Sequence, residues 1–175
     1  DPTGVSTGGE TCGVGFNHPA GFEDVKGYVT DGVLVANLPA VTIPLTSNSA
    51  GATVRLVAGF VALKLTKEGP SWRLTSGTVT GRWRTADVFA TLGALSVGNQ
   101  SLCTDHSLYA IIKGTVCSFR DILSELGGPT SPCDALSAAF AVTGEPALLG
   151  EVHDSQKVGP KCDPMVEPAL DTCDE

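Results

Sequence analysis

The chemistry this chain can do begins with sulfur. Its six cysteines are Cys12, Cys103, Cys117, Cys133, Cys162 and Cys173. No two of them stand as Cys-x-x-Cys. Zinc-ribbon binding, thioredoxin-type exchange and covalent haem attachment therefore lack their usual spacing. An even number of well-separated cysteines predicts three disulfides, formed in an oxidising compartment. Six cysteines leave many pairings open. Nearness in sequence favours Cys103–Cys117 and Cys162–Cys173. Cys12–Cys133 would then tie the amino-terminal arm to the body.

Other reactive residues are scattered. Ser96 lies in Ala94-Leu95-Ser96-Val97-Gly98, a faint form of a nucleophile elbow. That elbow needs a strand before the serine and a helix after it. Here a helical pattern precedes Ser96, so an ordinary helix-terminal serine is expected. His18, His106 and His153 fall in three unlike regions. His106 follows Asp105 at a predicted helix start, where a capping or surface role is the plain reading. The acids Asp163, Glu167, Asp171, Asp174 and Glu175 crowd the carboxyl end without the spacing of a calcium loop. Asn99-Gln100-Ser101 fits a glycosylation sequon. No catalytic residue, metal or cofactor is expected from these residues.

Charge is the more pointed signal. The whole chain carries −8. Between Thr53 and Thr85 stand Arg55, Lys64, Lys67, Arg73, Arg82 and Arg84, opposed only by Glu68. That stretch is +5, and the remainder is therefore −13. Overall acidity argues against a nucleic-acid partner. The basic stretch points to an anionic one: an acidic protein surface, an acidic polysaccharide or lipid head groups. Arg55, Lys64, Arg73, Arg82 and Arg84 are its candidate contacts. The acidic tail of the chain itself is the alternative neighbour.

The elements that must position these residues read mainly as strands. The chain has 175 residues, 42% of them apolar, with 21 Gly and 11 Pro. This is the composition of a turn-rich β domain with a core of its own. Residues 1–20 read as a flexible leader, such as follows a processed export signal or a lipid-bearing residue. Residues 21–150 form the β-rich domain, and 151–175 an acidic tail pinned by disulfides. Asp31-Gly32 predicts a hairpin turn. Pro39 and Pro44 confine Val41–Leu45 to an edge or a bend. Thr53–Thr66 and Trp72–Trp83 form a second hairpin, with Glu68-Gly69 in its turn. Leu65 is then expected opposite Trp72, Leu63 opposite Leu74, and Lys64 opposite Arg73. Apolar alternation changes phase along both strands, near Gly59 and Gly77, which predicts bulges and a curled sheet.

Helices are predicted over about 86–96, capped by Thr85, and 105–124, capped by Thr104. Leu108, Ile111, Ile112 and Val116 are the expected buried stripe of the second. Leu136, Ala138, Phe140 and Val142 alternate as a last strand. The fold class is thus mainly β (α+β): a curled antiparallel sheet, sandwich or barrel-like, with two helices inserted before the last strand.

Three stretches carry a resemblance: Gly77-Thr78-Val79-Thr80-Gly81-Arg82-Trp83 leading into Thr85-Ala86-Asp87-Val88-Phe89, the Cys103 and Cys117 pair, and Cys133-Asp134-Ala135-Leu136-Ser137. Their order resembles uncharacterised secreted or lipoprotein-type proteins of myxobacteria, over roughly residues 53 to 150. The resemblance implies export and carries no activity or functional residue with it. The functional expectation is a non-enzymatic extracellular, periplasmic or cell-surface protein that binds a partner or self-associates. The alternatives are a carrier of an apolar ligand in a barrel-like cavity, and a secreted hydrolase. No stretch is long and apolar enough to span a bilayer as a helix.

Overall fold

The computed structural model describes residues 24–46, 51–98, 100–125, 132–144 and 162–173. Three long strands dominate it. They are β2 (Val33–Thr46), β3 (Gly51–Glu68) and β4 (Ser71–Arg84), joined as hairpins. A short β1 (Tyr28–Thr30) pairs with the start of β2, and β7 (Ala135–Val142) pairs with β4. The resulting antiparallel sheet has the order β1-β2-β3-β4-β7. It stays open and does not close into a barrel. Between β4 and β7 come α1 (Thr85–Gly93), the two-residue strands β5 (Ser96–Val97) and β6 (Gln100–Ser101), and α2 (Tyr109–Ser118). Two helices before the last strand match the sequence pattern.

Local chemistry explains the turns. Asp31 and Gly32 both take left-handed backbone, φ 49° and 76°. That conformation follows the twist of the two strands they join, and Gly adopts it without a Cβ clash. In the second hairpin the turn is one residue later than expected. Gly69 and Pro70 form it, and Glu68 faces Ser71. Every pairing near the turn shifts accordingly. Leu65 faces Leu74, Lys67 faces Trp72, Leu63 faces Gly77 and Lys64 faces Ser76. Lys64 and Arg73 do not oppose one another.

The two phase changes are real. The β3–β4 register slips between Val57 and Phe60, where Ala58 adopts φ 47°. It slips again between Lys64 and Leu65, where Thr75 is the extra residue and its hydroxyl donates to the Lys64 carbonyl. Gly59 marks the first slip because β3 presses on β4 there. A Cβ on Gly59 would overlap the Thr80 carbonyl oxygen. The slip keeps one face apolar: Val54 and Leu56 before it, Val61, Leu63 and Leu65 after it. Pro39 and Pro44 lie where β2 has run past β1 and has only β3 beside it among the described residues. Proline's missing amide is tolerated on such an edge.

The core gathers at one end of the sheet. Val54 and Leu56 are fully buried, and so is Phe89 of α1. Phe89, Leu92, Leu102 and Tyr109 form a cluster, with Ile112, Val116 and Cys117 packed against it. Each large apolar side chain buried in this way contributes about 2 kcal/mol. The Thr91 hydroxyl donates to the Thr53 carbonyl, fastening α1 to β3.

Both helices depart from expectation at their ends. Thr85 is the first residue of α1 rather than its cap, and its amide and hydroxyl donate to the Asp134 carbonyl. The second helix begins at Tyr109, not at Thr104, and ends at Ser118. Beyond it, tertiary hydrogen bonds outweigh helical propensity. Ser137 donates its amide and hydroxyl to Asp121, Arg82 donates to the Leu123 carbonyl, and Ile122 bridges to Ala135. The buried stripe of α2 is Tyr109, Ile112 and Val116, while Leu108 and Ile111 face outward.

The sulfur pairing differs from the nearest-neighbour expectation. Cys103 bonds Cys162, and Cys117 bonds Cys173. The neighbours in sequence are kept apart because α2 intervenes, the turn Pro168–Leu170 packs on α1, and Val166 of the turn Pro164–Val166 accepts from the Thr104 amide beside Cys103. Cys133 is half-buried and makes no disulfide among the described residues. Cys12 and the leader lie outside the described residues, as does the whole of 145–161.

Two outcomes follow for stability. Gly59→Ala should lower it by about 2 kcal/mol or more, by forcing β3 off β4. Gly114→Ala, in open space on α2, should raise it by about 0.5–1 kcal/mol; equal shifts of the two in thermal denaturation would refute this reading of Gly59. Peptide mapping without reduction should yield Cys103–Cys162 and Cys117–Cys173, and removing either bond should cost about 4 kcal/mol.

Candidate binding face

Strand pairing sorts the side chains of the sheet into two faces. The inner face carries Leu38, Val54, Leu56, Val79 and Phe140, and α1 packs at its lower end. The outer face carries the cations. Arg55 and Val57 alternate onto the side of Arg82, because Val57 faces Arg82. Phe60 faces Thr80, Ala62 faces Thr78, Lys64 faces Ser76 and Thr66 faces Arg73. All five residues singled out from the sequence, Arg55, Lys64, Arg73, Arg82 and Arg84, thus share one face.

They do not share one state. Arg82 and Arg84 are engaged within the chain. Arg82 donates to the Leu123 carbonyl at 2.6 Å, and Arg84 forms a two-pronged pair with Asp87. The Asp87 carboxylate, bonded to the guanidinium, raises the Arg84 pKa against the opposing effect of burial. Arg73 lies 3.6 Å from Glu68, and both are largely exposed. Such surface pairs contribute little. Arg55 and Lys64 are exposed, and their side chains make no hydrogen bond or ion pair to another described residue.

The acidic tail does not answer them. Among its described acids, Asp171 accepts from Lys113 and from the Tyr109 hydroxyl, beside α2. Asp163 caps the first carboxyl-terminal turn by accepting from the Met165 amide. Glu167 lies against Gly93 of α1. Burial works to raise the Asp171 pKa, but the bonds from Lys113, Tyr109 and the Thr172 amide prevail and lower it. Tyr109 is pushed upward, first by burial and then by its bond to Asp171.

Two aromatic residues join the outer face that the sequence reading passed over. Tyr28 pairs with Val35, which pairs with Ala62, so its ring lies on the cationic side. Tyr28 is 56% exposed and Phe60 is 49% exposed. Phe60 carried a usable signal: it falls out of phase with Val61, Leu63 and Leu65, so it must point away from them. Between these rings lie Val35 and Asn37 of β2, with Asn37 donating to the Asp24 carboxylate. On the other side of Phe60 the face is low, with Ala62, Ala139 and Ala141.

The other candidates stay apart. Ser96 opens β5 after a helix, the reverse of the order an elbow requires, and it faces Ser101. The His106 Nδ1 accepts from the Leu108 amide in the turn before α2. His18, His153, Asn99, Asp174 and Glu175 lie outside the described residues. No three His, Cys, Asp or Glu residues gather as a metal site among the described ones. A shallow cleft of about 320 Å³ beside α1 is lined by Thr53, Arg55, Asp87, Ala90, Thr91 and Ala94. It offers no large apolar wall. No described helix is long and apolar enough to cross a membrane. Comparison with protein-family models, curated proteins and solved structures finds no match for this chain.

Acid should expose the Asp171 clamp. Its folded pKa lies below the ordinary 3.8, so the unfolded chain binds more protons at mildly acid pH. The stabilisation is present above about pH 4 and is lost as pH falls through the folded value. Asp171→Asn should therefore lower the melting temperature most near neutrality, with the gap to the parent narrowing below about pH 4. A gap that is constant with pH would contradict this.

Proposed function

We propose that this chain is a non-enzymatic binding and structural protein of an oxidising exterior, whether secreted, periplasmic or on the cell surface, and that it docks an anionic partner on the outer face of its sheet. One observation carries the reading: Arg55, Lys64 and Arg73 stand exposed on one open face, while the described acids of the tail are committed elsewhere. The two disulfides support the oxidising setting. An open sheet has no barrel interior, which removes the support for a buried apolar cargo.

Self-association is a second reading, favoured by the −13 borne outside the basic stretch. A basic face meeting the acidic part of the next copy would build a head-to-tail contact. Its signature is light scattering that falls as salt rises.

The first reading has a simple test. A chain of net charge −8 should still be retained on a sulfonate cation exchanger at low salt. Arg55→Gln, Lys64→Gln and Arg73→Gln together should abolish retention while leaving the melting temperature near that of the parent. Passage of the parent straight through the column would refute it.

A further inference from the structure

We infer that the outer face takes a linear acidic polysaccharide, carboxylated or sulfated, laid along the strands with Tyr28 and Phe60 against its sugar rings. The inference rests on the outer face being the docking surface, and it names the class of partner. Three features of the face select a chain over other anions.

The first is the spread of the cations. From Arg55 to Thr66, which faces Arg73, β3 runs eleven residues with one taken up in the bulge. At about 3.3 Å per residue this is roughly 30 Å. A small anion meets one charge at a time on such a row. A linear polyanion meets Arg55, Lys64 and Arg73 in series.

The second is the pair of exposed rings between the end charges. Tyr28 is on β1 and Phe60 on β3, two strands apart and one pairing row apart. Strand spacing separates them by about 10 Å across the sheet. Aromatic faces bury apolar surface against whatever rests on them. The C–H faces of sugar rings supply that surface, and a row of bare sulfate or phosphate groups does not.

The third is the low relief on the β4 and β7 side of Phe60, beyond the Val35 and Asn37 side chains of β2 that separate the two rings. Ala62, Thr78 and Ala141 lie in one pairing row, and Thr80 and Ala139 in the next. Small side chains let a polymer backbone approach the sheet, and hydroxyls beside them can hydrogen-bond to sugar oxygens. The Thr80 hydroxyl is already committed to the Phe60 backbone, which holds Phe60 in place.

The test compares immobilised alginate, dextran sulfate, neutral dextran and phosphatidylglycerol vesicles, using the whole chain with its disulfides intact. Binding to alginate or dextran sulfate but not to dextran is expected. Affinity should fall about 30-fold from 50 to 200 mM salt, as three released counterions imply. Lys64→Gln should flatten that salt dependence. Phe60→Ser and Tyr28→Ser should each weaken polysaccharide binding about tenfold with the salt slope unchanged and the melting temperature preserved. Binding to vesicles and sulfonate beads without a preference for polysaccharide, or aromatic variants that bind polysaccharide like the parent, would overturn the inference and leave the anionic docking face standing. Failure to bind any of the polyanions would overturn both.

Discussion

Everything in this molecule is arranged around the slip in β3 at Ala58 and Gly59. Before it, Ala52, Val54 and Leu56 point to one side and are buried by α1. After it, Val61, Leu63 and Leu65 take over that side. Without the extra residue, a strict two-residue period would carry Arg55 and Phe60 onto opposite faces. With it, Arg55, Phe60 and Lys64 fall on the same open surface. The slip is held by contact as well as by register, because the Gly59 backbone sits directly on the Thr80 carbonyl. A single glycine thus joins a hydrophobic decision on one face to an electrostatic one on the other.

The second organising element is the lower end of the sheet, where polar groups do the fastening. Asp134 gives its carbonyl to Thr85 and its carboxylate to the Ser124 amide and hydroxyl. Burial raises the Asp134 pKa, but the Ser124 bonds and the Arg84 charge outweigh it and lower the value. Asp121 does the same for β7 through Ser137, and its pKa is lowered by those bonds. These bonds turn residues 119–125 into a strap along β7. The same end of the sheet engages Arg82 through the Leu123 carbonyl and Arg84 through Asp87, so the basic stretch divides into an engaged end and a free end. On the outer face Arg55, Lys64 and Arg73 remain exposed.

Much of this was legible in the residues alone, and the misses have physical reasons. Asp31-Gly32, the alternation of Leu136 to Val142 and the paired phase changes all speak through nearest neighbours, and the structure has each of them. The turn lies at Gly69-Pro70, one residue past the expected Glu68-Gly69, because both are acceptable turn dipeptides and only cross-strand packing selects between them. The end of α2 was overrun, because Asp121 and Leu123 answer to Ser137 and Arg82, distant in sequence. Cys103–Cys117 and Cys162–Cys173, the pairs that nearness favours, give way to Cys103–Cys162 and Cys117–Cys173 for the same reason: proximity along the chain says little once a helix separates Cys103 from Cys117. The shared face of the five cations could not be seen without the exact register, and Tyr28 joined them only through β2.

The two sulfur bridges interleave along the chain, since Cys117 lies inside the loop closed by Cys103 and Cys162, and Cys173 lies beyond it. A protease cutting anywhere from residue 118 to 161 would leave two fragments still joined by two covalent links. Neither piece could diffuse away, and a cut outside β7 would leave that strand joined to the body through its uncut flank. In the oxidising compartment that the two disulfides fit, a nicked backbone would then remain one particle.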